Sequence, residues 1–273
     1  IQKYFDENVI DVSLAEFDVE YASIHRDKTY PLHPDQAPPM PQEALRDLEQ
    51  KINIKQLDIH VPTFEYTELM PGAKQKSYIE ITDIDAKVTN ITNIDKQLKQ
   101  NHLMPLQIEG SLMKEGRTEI DINFDNRSLS NDFTFNATCF EMPLQTLNPI
   151  TEPGMNLSIK DGINRKLTTS FEANGDSAIG TMRFKYNDLK ISVLNTRNGV
   201  KKEGKFVSFL INTIALKSDN PKRGNFVLPV KYKNYRNKRR SIVGYCWRSI
   251  FAGMKETLGL KKEENKQSGT DQN

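Results

Sequence analysis

The chain has 273 residues, a net charge of +2 and a mean hydropathy of −0.62. That length suits one large domain or two small ones, and the balanced charge sets up no global field toward nucleic acid or anionic lipid. Apolar residues make up 37% of the chain, which is low for a large β-protein dry on both faces and fits sheets that meet water on one side.

No stretch approaches the ~18 consecutive apolar residues of a membrane span. No basic-then-apolar signal segment opens the chain. A chain that begins on Ile1 reads as a piece of a longer protein. Cys139 and Cys246 do not make a disulfide framework. Both read as small buried hydrophobes.

Ile10, Val12 and Leu14 alternate with polar residues, and Phe17, Val19 and Tyr21 then alternate in the opposite phase. The same slip separates Ile52 and Ile54 from Leu57, Ile59 and Val61, and Ile79 and Ile81 from Ile84, Ala86 and Val88. A slip turns every later side chain to the other face unless a bulge absorbs it. Long, bulged, strongly bent strands are therefore expected. Pro31–Pro41 is an extended connector carrying Pro31, Pro34, Pro38, Pro39 and Pro41. Pro41 opens a short helix expected over Gln42–Gln50, with Leu45 and Leu48 on one side. Met70-Pro71-Gly72 is a turn. Leu106–Met113 and Thr118–Phe124 read as a hairpin around Lys114-Glu115-Gly116, with Ile120, Ile122 and Phe124 on one face. Phe133, Phe135, Ala137 and Cys139 repeat the pattern, and Pro143–Pro149 breaks it.

Met155–Leu194 alternates most cleanly and reads as three strands. Leu167, Thr169, Phe171 and Ala173 oppose Lys166, Thr168, Ser170 and Glu172. Asn174-Gly175-Asp176 has hairpin-turn chemistry. Met182, Phe184 and Tyr186 follow, then Leu189, Ile191 and Val193. These strands have one greasy and one wet face. Phe206–Leu216 fits a helical start or a buried strand, and Phe226–Tyr235 one more strand. Arg239–Leu258 is the one long helix, with Val243, Cys246, Trp247, Ile250, Met254 and Leu258 as its apolar stripe and Gly259 as its stop.

The expected fold is mainly β: a long curved antiparallel sheet forming an elongated, half-pipe groove. It spans 1–238 as a single domain, with the short helix near 42–50. A C-terminal amphipathic helix over 239–260 caps or docks, and 261–273 is a disordered polar tail.

No catalytic motif, metal-ligand spacing or phosphate loop is present, so neither an enzyme, a metal nor a cofactor is expected. His25, His33, His60 and His102 are scattered, and Glu80, Asp85 and Asp121 sit on polar strand faces. Lys231–Arg240 holds six cations with Tyr232 and Tyr235 and no acid. Three readings stand: a solvated strand edge guarded by lysine, an anionic membrane or lipid head group, and nucleic acid, the last of which is not expected as a partner.

Several stretches together resemble the C-terminal region of AsmA-like proteins of Gram-negative envelopes, relatives of TamB. They are Tyr66-Thr-Glu-Leu69, Val88-Thr-Asn-Ile-Thr-Asn93, Leu144-Gln-Thr-Leu-Asn-Pro149 with Gly162, and Gly180-Thr-Met-Arg-Phe-Lys-Tyr-Asn-Asp-Leu189. Phe209–Asn212, Asn220-Pro221 and Trp247–Gly259 are similar to the family's closing segment. The resemblance implies a periplasmic, taco-like β-groove, anchored in the inner membrane by an N-terminal helix that precedes this stretch. It also implies a phospholipid cargo carried toward the outer membrane, in support of outer-membrane biogenesis.

On that basis the expected groove lining is Ile120, Ile122, Phe124, Phe133 and Phe135, continued by Leu167, Phe171, Met182, Phe184, Tyr186, Leu189, Ile191 and Val193. The expected docking surface, for a membrane or an envelope protein, is Arg239, Arg240, Trp247, Arg248, Ile250 and Phe251. The alternation serves equally a closed dry core in an envelope scaffold, because a strand does not report what meets its apolar face.

Overall fold

A computed structural model describes residues 9–31, 35, 37–73, 75–194 and 218–259. The expectations for Phe206–Leu216 and for the tail over 261–273 lie outside these residues. The described chain is mainly β, and one open sheet of 12 strands carries the fold. Its strands are β1 (Val9–Val12), β2 (Ala15–Asp18), β3 (Ala22–Asp27), β4 (Lys51–Leu69), β5 (Ser77–Thr92) and β6 (Leu103–Leu112). They continue as β7 (Gly116–Asp125), β8 (Phe133–Cys139), β9 (Met142–Pro143), β10 (Leu157–Ala173), β11 (Ser177–Val193) and β12 (Val230–Tyr235). The main path runs β1-β4-β5-β6-β7-β8-β10-β11-β12, with β2 and β3 on β4 and β9 on β10.

From β4 to β12 the neighbours along that path are antiparallel, as expected. The N-terminal edge differs. β1, β2 and β3 each pair with β4 in parallel. Parallel neighbours need a long return connection. The proline-rich stretch supplies it, together with helix α1 (Pro41–Arg46), which is shorter than the expected 42–50.

The phase slips have a specific form. Asp83 and Asn90 in β5 take left-handed backbone, with φ of 53° and 58°. Each lets two apolar residues three apart share a face, Ile81 with Ile84 and Val88 with Ile91. β4 shifts phase in step, so the register holds at Ile54↔Ile91, Leu57↔Val88, Val61↔Ile84 and Phe64↔Ile81. The edge breaks at the same two levels, between β1 and β2 and between β2 and β3. The slips in β4 and β5 are thus matched creases, and the slip at the edge is a set of gaps between short strands. Asp and Asn tolerate left-handed backbone best among residues with a side chain.

Asp188, φ 56°, makes the same crease in β11, so that Tyr186 and Leu189 are both buried. Met155–Leu194 therefore contributes two long strands, not three. Gly162, φ 138°, sits opposite this crease, where a Cβ would come within 3.2 Å of the Leu189 Cα.

Among the described residues, further helical pieces lie off the sheet besides α1. Helix α2 (Asp95–Gln100) links β5 to β6. A 3-10 turn (Leu144–Leu147) runs into α3 (Asn148–Met155), where the sequence signalled only a break. Helix α4 spans Ile242–Thr257, and Ser241 caps it by accepting a hydrogen bond from the Gly244 N–H at 3.5 Å. Its buried seam is Tyr245, Cys246, Ser249 and Gly253. That corrects the expected stripe: Val243 is 74% exposed and Trp247 41%. A small-residue seam brings the helix close to the sheet, which a reading by hydrophobicity alone passes over.

The core lies between α4, α1 and the apolar face of β7 to β12. Phe135 stacks on Phe171 with centroids 4.5 Å apart, and Phe133 meets Tyr245 of α4 edge-on at 6.0 Å.

Candidate functional site

Pairing registers assemble the alternating residues into continuous rows. One runs Ala15, Leu57, Val88, Leu106, Ile122, Phe135, Phe171, Gly180, Tyr232, with one residue from each of nine strands. Its neighbour runs Phe17, Ile59, Ala86, Ile108, Ile120, Ala137, Thr169, Met182, Val230. The row between them faces the other way and is polar: Glu16, Asp58, Lys87, Gln107, Asp121, Asn136, Ser170, Thr181, Lys231. The sheet therefore has one apolar and one polar face from edge to edge.

Cover over the apolar face is uneven. From Ile122 to Tyr232 every member of the first row is buried, whereas Ala15, Leu57, Val88 and Leu106 are half-buried. β4 is flanked on both sides, yet none of its residues is buried. At the edge, Phe17 is 57% exposed and Ile24 52%. The apolar face is thus closed over β7 to β12, half-covered over β4 to β6, where Ile52, Val88, Ile91 and Leu106 still pack against the core, and open at the β1 to β3 edge.

That division sorts the expected lining residues. Ile122, Phe124, Phe133, Phe135, Phe171, Met182, Phe184, Tyr186 and Leu189 are buried in the closed half. Ile120, Leu167 and Ile191 are partly buried and pack against that core. Val193 is the last residue of β11. The open half is lined by residues outside the expected set, among them Ile59, Val61, Phe64, Ile79 and Ile81. The same alternation marks them.

An apolar cleft of about 100 Å³ opens between α3 and α4, over β10 and β11. Phe184, Leu189 and Ile191 form its floor, Leu144, Ile150 and Met155 one wall, and Trp247, Phe251, Met254 and Leu258 the other. It joins three expected lining residues to two expected docking residues. Ile250 packs instead on the core, which removes it from an external surface. Arg239 and Arg248 are exposed, and Arg240 is half-buried. On the polar face a cavity of about 210 Å³ is lined by Glu119, Asp121, Asn136, Ser170 and Arg183.

The basic run is partly tied down. Arg236 donates to the Pro38 carbonyl at 3.0 Å, and Lys238 pairs with Asp176 at 2.9 Å. Tyr232 is buried and donates to or accepts from Thr169 at 2.6 Å. Lys233 covers the Tyr235 ring at 4.7 Å. Tyr232 therefore presents no free stacking face, while Tyr235, 70% exposed, has one face occupied by Lys233.

The open apolar face ends in charge, which the sequence reading missed. Along β3 and β4, Ile24 pairs with Tyr66 and Arg26 with Glu68. Lys28 forms an ion pair with Glu68, and Tyr66 donates to the other Glu68 oxygen at 2.7 Å. Burial lowers the Lys28 ammonium, Glu68 opposes this, and Arg26 and Arg240 add to it. Burial and the Glu68 carboxylate push the Tyr66 phenol up to about 12. Arg240, just ahead of α4, is lowered by burial and by the Arg248 and Arg26 charges. Its Nε is buried, with no hydrogen-bond partner among the described residues.

Among the described residues no group of three or more His, Cys, Asp or Glu could hold a metal ion, and no helix is long and apolar enough to cross a membrane. No protein-family model, no curated protein and no solved structure matches this chain.

Proposed function

We propose that this chain is a segment of a lipid-carrying β-trough, its open apolar face holding acyl chains and its polar face meeting water. The observation that carries this reading is the pair of in-register apolar rows crossing nine strands, from β2 through β4 to β12, buried by protein at one end and exposed at the other. Exposed apolar surface on this scale marks an interaction site in a protein that meets water. A phospholipid leaving a bilayer exposes about 0.8 kcal/mol per CH₂, or on the order of 20 kcal/mol for two long tails. A generic apolar trough offsets that cost without specific contacts, and the reading needs no catalytic group. The resemblance to AsmA-like proteins adds the context: phospholipid moving between inner and outer membranes, through the periplasm.

The test is direct. The protein is purified from cell envelopes in mild detergent, and bound lipid is extracted and identified by mass spectrometry. An Ile59→Asp, Ile81→Asp variant places charge on half-buried positions of the open face. Phospholipid in the parent and its loss from a folded variant are expected. No lipid above background in the parent overturns the reading.

The closed half favours a second reading, an envelope scaffold whose apolar face is covered by protein throughout. On that reading the aspartate pair leaves a lipid-free protein unchanged or unfolds it.

A further inference from the structure

Four cations gather where the open apolar face ends. Arg26 follows Ile24 on the apolar phase of β3 and Lys28 comes just after the strand, while Arg240, just ahead of α4, interacts electrostatically with Arg26, with Lys28 and with Arg248 inside the helix. Glu68 is the carboxylate that acts on both Lys28 and Arg240. Both of its oxygens are already engaged, one by Lys28 and the other by the Tyr66 hydroxyl. Its single negative charge is shared among these cations, so the cluster keeps an excess of positive charge. The Arg240 Nε–H is buried without an acceptor. An unsatisfied buried donor makes this cation costly to hold, and a nearby anion that offsets its charge lowers that cost. A guanidinium fork matches the geometry of phosphate oxygens, and several together bind them strongly.

We propose that Arg26, Lys28, Arg240 and Arg248 form a binding site for a phosphate-bearing anion, at the mouth of the open apolar face. A phospholipid fits this arrangement: its tails lie along the row from Ile24 and Tyr66, and its phosphate meets the cations. This form of the proposal rests on the trough reading. The shared chemistry, a phosphate anion, does not, because free phosphate could occupy the same cations.

The experiment has two arms on the full chain. In the first, inorganic phosphate is titrated by calorimetry at low salt into the parent, Arg248→Gln and Arg26→Gln. In the second, the same proteins are incubated with equimolar phosphatidylglycerol and phosphatidylcholine vesicles, re-isolated, and their lipid counted by mass spectrometry. Neither substituted residue is buried, and circular dichroism checks the fold of each variant. The parent is expected to favour phosphatidylglycerol. Each variant is expected to lower that ratio roughly tenfold, the factor for one charge-assisted hydrogen bond.

Phosphate binding that weakens in the variants, without lipid uptake, upholds the anion site and sinks the trough reading. Lipid uptake without head-group preference and without phosphate binding overturns the anion site and leaves the trough. Neither form of binding overturns both.

Discussion

Helix α4 carries two glycines in very different surroundings, and exchanging each for alanine measures how firmly the helix is seated. At Gly253 a Cβ would lie 2.8 Å from Tyr232 Cε1 and 2.9 Å from Met182 Cε. The normal carbon contact is about 3.5–4.0 Å, so the helix must retreat by roughly 0.7 Å or the ring must turn. The ring is held: its hydroxyl bonds Thr169 at 2.6 Å, and its strand position pairs with Gly180. Overpacking of this kind costs about 1–3 kcal/mol. At Gly244 the nearest atom to a new Cβ is the Arg240 Cβ at 3.6 Å, an ordinary contact. There alanine gains about 1 kcal/mol of helix propensity and loses nothing. Propensity contributes the same to both exchanges, so their difference isolates the packing term. At about 2–4 °C per kcal/mol for a chain of this size, the two melting temperatures should differ by roughly 3–10 °C, with Gly253→Ala the lower. Thermal unfolding followed by circular dichroism reads this. An equal rise in both variants would refute the seating of α4 on β11 and β12.

The other predictions test the same architecture. Deleting 239–258 uncovers Phe133, Met182 and Tyr232, so the remaining chain should aggregate in size-exclusion chromatography; a monomeric, folded body would mean the helix is a detachable dock. Burial pushes the Cys246 thiol up to about 12, so at pH 8 it stays protonated. It should resist a thiol reagent in the native protein and react once unfolded, and labelling at a free-thiol rate in the folded protein would contradict its place in the core. Thr169→Val strands the Tyr232 hydroxyl and should cost about 1–3 kcal/mol, most of it recovered by adding Tyr232→Phe; a double variant as unstable as the single one would show that the bond is not the cause. Asp83→Val forces a β-branched residue into left-handed backbone and should cost at least about 1–2 kcal/mol, whereas Asp83→Gly should be close to neutral. Equal denaturation midpoints would mean that the crease at β5 is absent.

Much of this architecture follows from local chemistry. Alternation along each strand determines which residues share a face, because successive side chains point to opposite sides whatever the partner strand. The half-greasy sheet, the hairpin at Asn174-Gly175-Asp176 and the long C-terminal helix were legible for that reason. The creases carry a signal as well. Ile81-Thr82-Asp83-Ile84, Val88-Thr89-Asn90-Ile91 and Tyr186-Asn187-Asp188-Leu189 each place Asp or Asn just before the second of two apolar residues three apart. Odd apolar spacing shows that the phase must change, and the Asp or Asn marks where.

Other features were decided only by tertiary packing. Phe64 and Phe135 both sit on the apolar phase of long strands, yet one lines the open half and the other lies 2% exposed in the core. No local property separates them; their difference comes from which segments fold over the sheet. The parallel edge depends likewise on the course of the connector from β3 to β4. The seam of α4 depends on closeness of approach, which selects Ser249 and Gly253 over the larger Val243. The cation cluster joins residues 26 and 28 to residues 240 and 248, more than two hundred positions apart. The sequence by itself determined the two faces of the sheet, through a period built into the extended backbone. Only the tertiary structure decided which part of the apolar face meets protein, because burial is a property of what lies opposite and not of the strand itself.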